Sequence, residues 1–215
     1  MYKYYNQLHY PHVLYPILTD MPELHQDKVT VKQAGCGLCA ASMLVENYKK
    51  EEFPLIDCLE LSLSCHANHS PGTDMDVLAP AVAQKFNLSV VCTDSELLLK
   101  EHLQNGYMAI ACVAGDRPEE DYVGVFSHGG HFVCVVNMDE NEQVTILDPS
   151  QTPDKYSIPE RSMVHVNGHV LTCDFDVLSK DCRYREVKYY EEGNFKKYLE
   201  FAGNHANRNR YWLFK

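Results

Sequence analysis

The segment Lys32–Tyr48 reads KQAGCGLCAASMLVENY and sets two cysteines, Cys36 and Cys39, among glycines where a loop gives way to a helical pattern. Cysteines at this spacing suit three chemistries: a metal knuckle, a redox pair, or a nucleophile at a helix N-terminus. Further on, Cys65-His66-x-x-His69 also has metal-like spacing, Gly129-Gly130-His131 leads into FVCVVN, and QVTIL runs into Asp148-Pro149. Zinc would require a second pair at ribbon spacing, and Cys36-x-x-Cys39 runs into a helix instead, so no metal or other cofactor is expected. A thioredoxin-like pair would require a preceding strand in a βαβ unit, and the residues ahead of Cys36 are loop-like. That leaves a nucleophile. A thiol at a helix N-terminus meets partial positive charge and unpaired N–H groups, which lower its pKa.

These residues must be held by particular elements. From Gly37 to Lys49 apolar residues recur at helical spacing, which predicts a helix starting just after Cys36. The strand HFVCVVN and the strand QVTILDP are separated by the polar turn MDEN. If they form a hairpin with a two- or four-residue loop, His131 falls opposite Asp148 and both side chains share one face. A carboxylate there would fix the histidine tautomer and stabilise its charged form. A cysteine facing that pair completes a thiolate, a base and an orienting group. Taken singly, each residue has an ordinary structural use: a cysteine at a helix start, a core histidine, an aspartate ending a strand. Their order along the chain argues for the joint reading. His128, three residues before His131, is placed at the mouth of the cleft.

Around this core, residues 2–16 form an extended arm and residues 17–31 a loop, while residues 53–73 give no clear pattern. A second helix is expected within Asp74–Phe86, interrupted at Pro80 unless it begins there. A strand is expected over Asn87–Thr93 and a helix over Ser95–Gln104, stopped by Asn105-Gly106. The second half supplies β-rich runs (MAIACV, HFVCVVN, QVTILDP, HVLTCDF, REVKYY), then a helix near Asn194–Phe201 and a closing strand RYWLF. Helices first and strands second predict an α+β fold, its helical N-terminal half packed on an antiparallel β-sheet. The 215 residues, 45% hydrophobic, suit one domain.

Composition narrows the function. A formal charge of -11 without any basic cluster excludes a nucleic-acid or anionic-membrane surface. No segment reaches the roughly 18 apolar residues of a membrane span. The N-terminal MYKYYNQLHYPH lacks the features of a signal peptide, so a cytoplasmic protein is expected. The nine cysteines are odd in number and often lie within apolar runs, as buried free thiols do.

GCGLCAASM resembles the GCGPxxxAM segment of the double-glycine, bacteriocin-processing cysteine peptidases of the papain-like superfamily. GGHFVCVVN followed by ILDP resembles that group's histidine and Asp-Pro strands, YYNQLHYPHVLYP its glutamine-bearing arm, and GTDMDVLAPAVAQKFNL the helix before its central sheet. The likeness covers roughly residues 5–150, with Leu38 where the group usually has proline. It implies a papain-like fold and Cys36 as nucleophile, His131 as base, Asp148 as orienter and Gln7 as oxyanion donor. A rival alignment with papain's own QGSCGSCWA would make Cys39 the nucleophile and Gln33 the donor. The expected activity is thiol hydrolysis of a peptide or related amide bond, on a peptide or protein substrate. The same motifs also resemble phytochelatin synthases, which transfer a γ-glutamylcysteine unit, and a catalytically silent peptide-binding module is the third reading.

Overall fold

The computed structural model describes residues 1–20, 22–183 and 210–215. Its first functional element is prepared by glycine. A short helix, α1 (Val31–Ala34), starts at Thr30, whose N–H is bound by Gln33 Oε1 at 2.9 Å. Gly35 then separates α1 from α2 (Cys36–Tyr48). A Cβ on Gly35 would lie 2.6 Å from the Val31 carbonyl oxygen, and one on Gly37 would lie 2.6 Å from Cβ of Thr73. The two glycines flanking Cys36 are thus required by close approach, and they let the helix begin at the thiol itself, one residue earlier than the apolar pattern indicates. Every α2 residue from Gly37 to Asn47 is buried.

Two further helices pack beside α2. The patternless region 53–73 holds α3 (Leu55–Ser64), and α4 (Met75–Lys85) begins at Asp74, whose side chain accepts from the Asp76 N–H. Pro80 lies inside α4, contrary to the expected interruption. A proline in a helix interior costs about 3 kcal/mol, through the lost hydrogen bond and the clash of its ring with the preceding turn. Burial of Met75, Leu78, Ala79 and Val82 offsets that cost, and Pro80 itself faces solvent.

The seven described strands are β1 (Val90–Thr93), β2 (Met108–Val113), β3 (His131–Met138), β4 (Gln143–Leu147), β5 (His165–Asn167), β6 (Val170–Asp174) and β7 (Arg210–Phe214). They form one sheet in the order β1-β7-β2-β3-β4-β6-β5, with antiparallel pairing throughout. Ile110, Cys134, Val136, Leu147, Trp212 and Phe214 face α2, α3 and α4 in one core. Ala109, Val133, Val135, Ile146 and Leu171 face a second core closed by α5 (Glu96–Gln104) and α6 (Phe175–Asp181). The architecture is the expected α+β one, helices packed on an antiparallel sheet, with α5 and α6 on the far face. Helix α6 and strand β5 were not anticipated; the run HVLTCDF ends as a strand at Asp174, and Phe175 opens α6. The expected helix at 194–201 and the run REVKYY lie outside the described residues.

The hairpin register differs from expectation. Cys134 pairs with Leu147 and Val135 with Ile146, and a bulge falls between Val135 and Asn137. The turn is closed by Asp139 N–H on the Gln143 carbonyl at 3.0 Å, with Glu142 at φ 61°. Next to the turn Met138 pairs with Val144, three residues beyond the expected partner, and the extra residue in β3 takes one of these back, a net slip of two residues. Side chains alternate with a period of two, so this slip keeps Asp148 on the face of His131. Continued beyond Leu147, the register sets Ser150 directly across from His131.

Candidate active site

Cys36 begins a 13-residue helix, so its thiol sits where the backbone N–H groups are unpaired and the helix dipole is positive. It is half-buried, and His131 is the group that most favours its ionisation. Burial alone would raise its pKa; His131 with its imidazolium charge and the N–H groups of Phe132 and Gly37 reverse this, and the net shift is downward.

His131, the first residue of β3, is 6% exposed. Its Nε2 lies 2.7 Å from Asp148 Oδ1, which leaves Nδ1 for the thiol. Burial opposes its charge, but Asp148 and Cys36 outweigh that and raise its pKa to about 9. Asp148 is fully buried just past β4. Burial would push its pKa up, yet His131 and then Lys155 hold it well below the usual carboxylate range. Its Oδ1 also accepts the Ser150 N–H at 2.9 Å, and its Oδ2 accepts Lys155 Nζ and the Tyr156 hydroxyl, each at 2.6 Å. Even its main chain is engaged, through a 2.7 Å bond from the Tyr4 hydroxyl to the Asp148 carbonyl.

The N-terminal arm joins the two halves of the site. Lys3 and Tyr5 bind Asn47 and Glu46 near the end of α2, while Asn6 Nδ2 donates to the Gln151 carbonyl at 2.7 Å. Between these anchors Gln7 is 7% exposed, its N–H on the Pro149 carbonyl at 2.7 Å and its Nε2 on the Lys32 carbonyl at 2.8 Å. Gln7 thus lies between the aspartate loop and the short helix before Cys36.

The rival residues lie elsewhere. Cys39 is fully buried in the α2 core, where burial raises its thiol pKa well above the ordinary value. Gln33 is exposed and occupied in capping Thr30. His128 is bound through Nδ1 to Asp116 at 3.0 Å and accepts from Arg161 Nη2 at Nε2, 3.2 Å away. Among the described residues, no group of three or more His, Cys, Asp or Glu side chains is arranged to hold a metal ion, and no helix is long and apolar enough to cross a membrane. Sequence reasoning missed Tyr4, Ser150, Lys155 and Tyr156. They are ordinary polar residues, and only folding brings them onto one carboxylate.

A solved structure similar to this chain is the peptidase domain of Streptococcus ComA, a bi-functional ABC transporter involved in a quorum-sensing pathway. It is 14% identical, with a TM-score of 0.44 over 68% of this chain and 83% of that one. No family model and no curated protein matches the chain.

The charges of Cys36 and His131 give a testable pH signature. The contribution of His131, with its raised pKa, is complete below about 6.5 and is lost as pH rises through about 9. That of Cys36, whose pKa is lowered, is complete above about 8.5 and is lost as pH falls through its folded value. Between these limits the two cancel, because a thiolate–imidazolium pair binds as many protons as a thiol and a neutral imidazole. The wild-type melting temperature should therefore be level between about pH 6.5 and 8.5. In Cys36→Ala, where Asp148 alone supports the imidazolium against burial, it should fall with pH over the lower part of that window. A variant as level as wild type would mean that His131 does not hold its extra proton.

Proposed function

We propose that this chain is a thiol hydrolase that cleaves a peptide or related amide bond. The observation that supports it best is the arrangement of a half-buried thiol at a helix N-terminus, its ionisation favoured by a histidine that is itself bound to a fully buried carboxylate. In this reading the Cys36 thiolate attacks the carbonyl carbon of the substrate. The developing oxyanion is met by the Cys36 N–H and by the second Nε2 proton of Gln7, the first being held by Lys32. His131 delivers its proton to the leaving amine, and the acyl group stays on sulfur. A water molecule, deprotonated by His131, then attacks the thioester and releases the acid. Asp148 holds the imidazole ring and favours its charged form throughout.

A mixed peptide library and glutathione, incubated separately with the protein and followed by mass spectrometry, test this reading. Hydrolysed peptides that disappear with Cys36→Ala are the expected products. Transfer of a γ-glutamylcysteine unit onto a second thiol would reassign the same site to acyl transfer. Absence of turnover on both, together with an unreactive Cys36, would leave a peptide-binding module.

A further inference from the structure

Asp148 has more partners than an orienting carboxylate needs. His131 and the Ser150 N–H occupy Oδ1, and the Tyr156 hydroxyl is already available to Oδ2. Lys155 nevertheless brings an ammonium to Oδ2 at 2.6 Å with its side chain only 10% exposed. Its Nζ also lies 2.6 Å from Ser150 Oγ, which in turn lies 3.1 Å from His131 Nε2. Burying a cation carries a desolvation cost that a neutral donor would avoid, so the charge calls for its own explanation.

We infer that Lys155 is a positioning residue of this site, its ammonium closing a line of alternating charges formed by the Cys36 thiolate, the His131 imidazolium and the Asp148 carboxylate. The inference rests on the thiol-hydrolase reading and adds to it a residue that sets the pH range of the reactive pair. The groups acting on Lys155 are Asp148 and Cys36, which attract its charge, and Arg161, which repels it and donates from Nη1 to the Lys155 carbonyl at 3.2 Å. The Tyr156 ring lies 5.7 Å from Nζ. Burial lowers the lysine pKa and Asp148 only partly restores it, consistent with a cation held for its effect on neighbours. Shared with Lys155, Asp148 supports less charge on His131 than an unshared carboxylate would. The same ammonium favours the thiolate.

Removing the charge should therefore raise both titrations. Iodoacetate reports them without a known substrate: the thiolate displaces iodide, and the anionic reagent is drawn to the imidazolium, so its rate should rise with Cys36 ionisation and fall as His131 deprotonates. Rates at Cys36 are to be measured by mass spectrometry from about pH 4 to 10 for wild type, Lys155→Met and Lys155→Arg. For Lys155→Met both limbs should move up by roughly 0.5–1.5 pH units, slowing labelling on the acid limb by about 3- to 30-fold. Lys155→Arg keeps the charge and should restore the wild-type limbs. Lys155→Gln, which retains a donor for Asp148, replaces the methionine variant if that one does not fold. Limbs of a folded neutral variant that superpose on wild type would overturn the inference, as would an arginine variant displaced as far as the neutral one. Failure of the underlying reading is distinct: wild-type Cys36 would then have no fast labelling that depends on His131.

Discussion

Cys36→Ala should abolish amide hydrolysis and rapid alkylation together, whereas Cys39→Ala should retain both. The two thiols are three residues apart and their surroundings are opposite. Cys36 meets His131, two backbone N–H groups and a helix N-terminus, all of which favour its anion. Cys39 lies among core side chains, and burial disfavours its anion. Loss of a covalent nucleophile removes about 10⁴-fold or more of turnover, since the oxyanion donors and substrate binding are all that remain. Loss of the Cys39 sulfur removes only packing, about 1–2 kcal/mol of stability. Turnover, site-resolved labelling and thermal melts of the two variants separate these outcomes. A Cys39→Ala protein that folds and is inactive would restore the papain-type alignment.

Asp148→Asn should lower turnover by about 10²- to 10⁴-fold, roughly 2.7–5.5 kcal/mol of barrier, because an amide cannot stabilise the imidazolium. Judged from the sequence alone, this near-isosteric change would leave the melting temperature untouched. The surroundings of Asp148 revise that. Lys155 would lose its counter-charge while remaining buried beside Arg161, and an uncompensated charge of this kind costs about 3–5 kcal/mol unless the lysine gives up its proton. The variant should therefore melt clearly below wild type. Adding Lys155→Met to Asp148→Asn should recover most of the melting temperature and none of the turnover. An unshifted melt for Asp148→Asn would contradict the buried ion pair. Unchanged turnover beside an inactive Cys36→Ala would mean that Asp148 only ends its strand.

Much of the site was legible because its signals are local. GCG, GGH and DP are short: GCG marks a close approach of the backbone, GGH leads into β3 and DP follows the end of β4. The partnership of His131 with Asp148 could be read from alternation in two strands, although the register was two residues off. The bulge between Val135 and Asn137 leaves no mark in an apolar run, and Glu142 at positive φ is not a residue that announces such a turn. The error kept the correct face because it was even. Helix α6 escaped notice because its 7 residues follow a strand without a break. Pro80 misled because local backbone preference was weighed without the core that holds α4. Lys155 and Tyr156 could not have been found, since nothing in their types or spacing ties them to a carboxylate seven and eight residues earlier.

The central claim is that Cys36 is activated by His131. It is tested most directly by alkylating the native protein with iodoacetamide at pH 7 and ranking all nine thiols by labelling rate in wild type and His131→Ala. The expected result is Cys36 labelled first in wild type and slowed at least tenfold in the variant, its thiolate having lost its charged partner. Faster labelling of another cysteine in the folded protein, or equal Cys36 rates in both, would contradict the account.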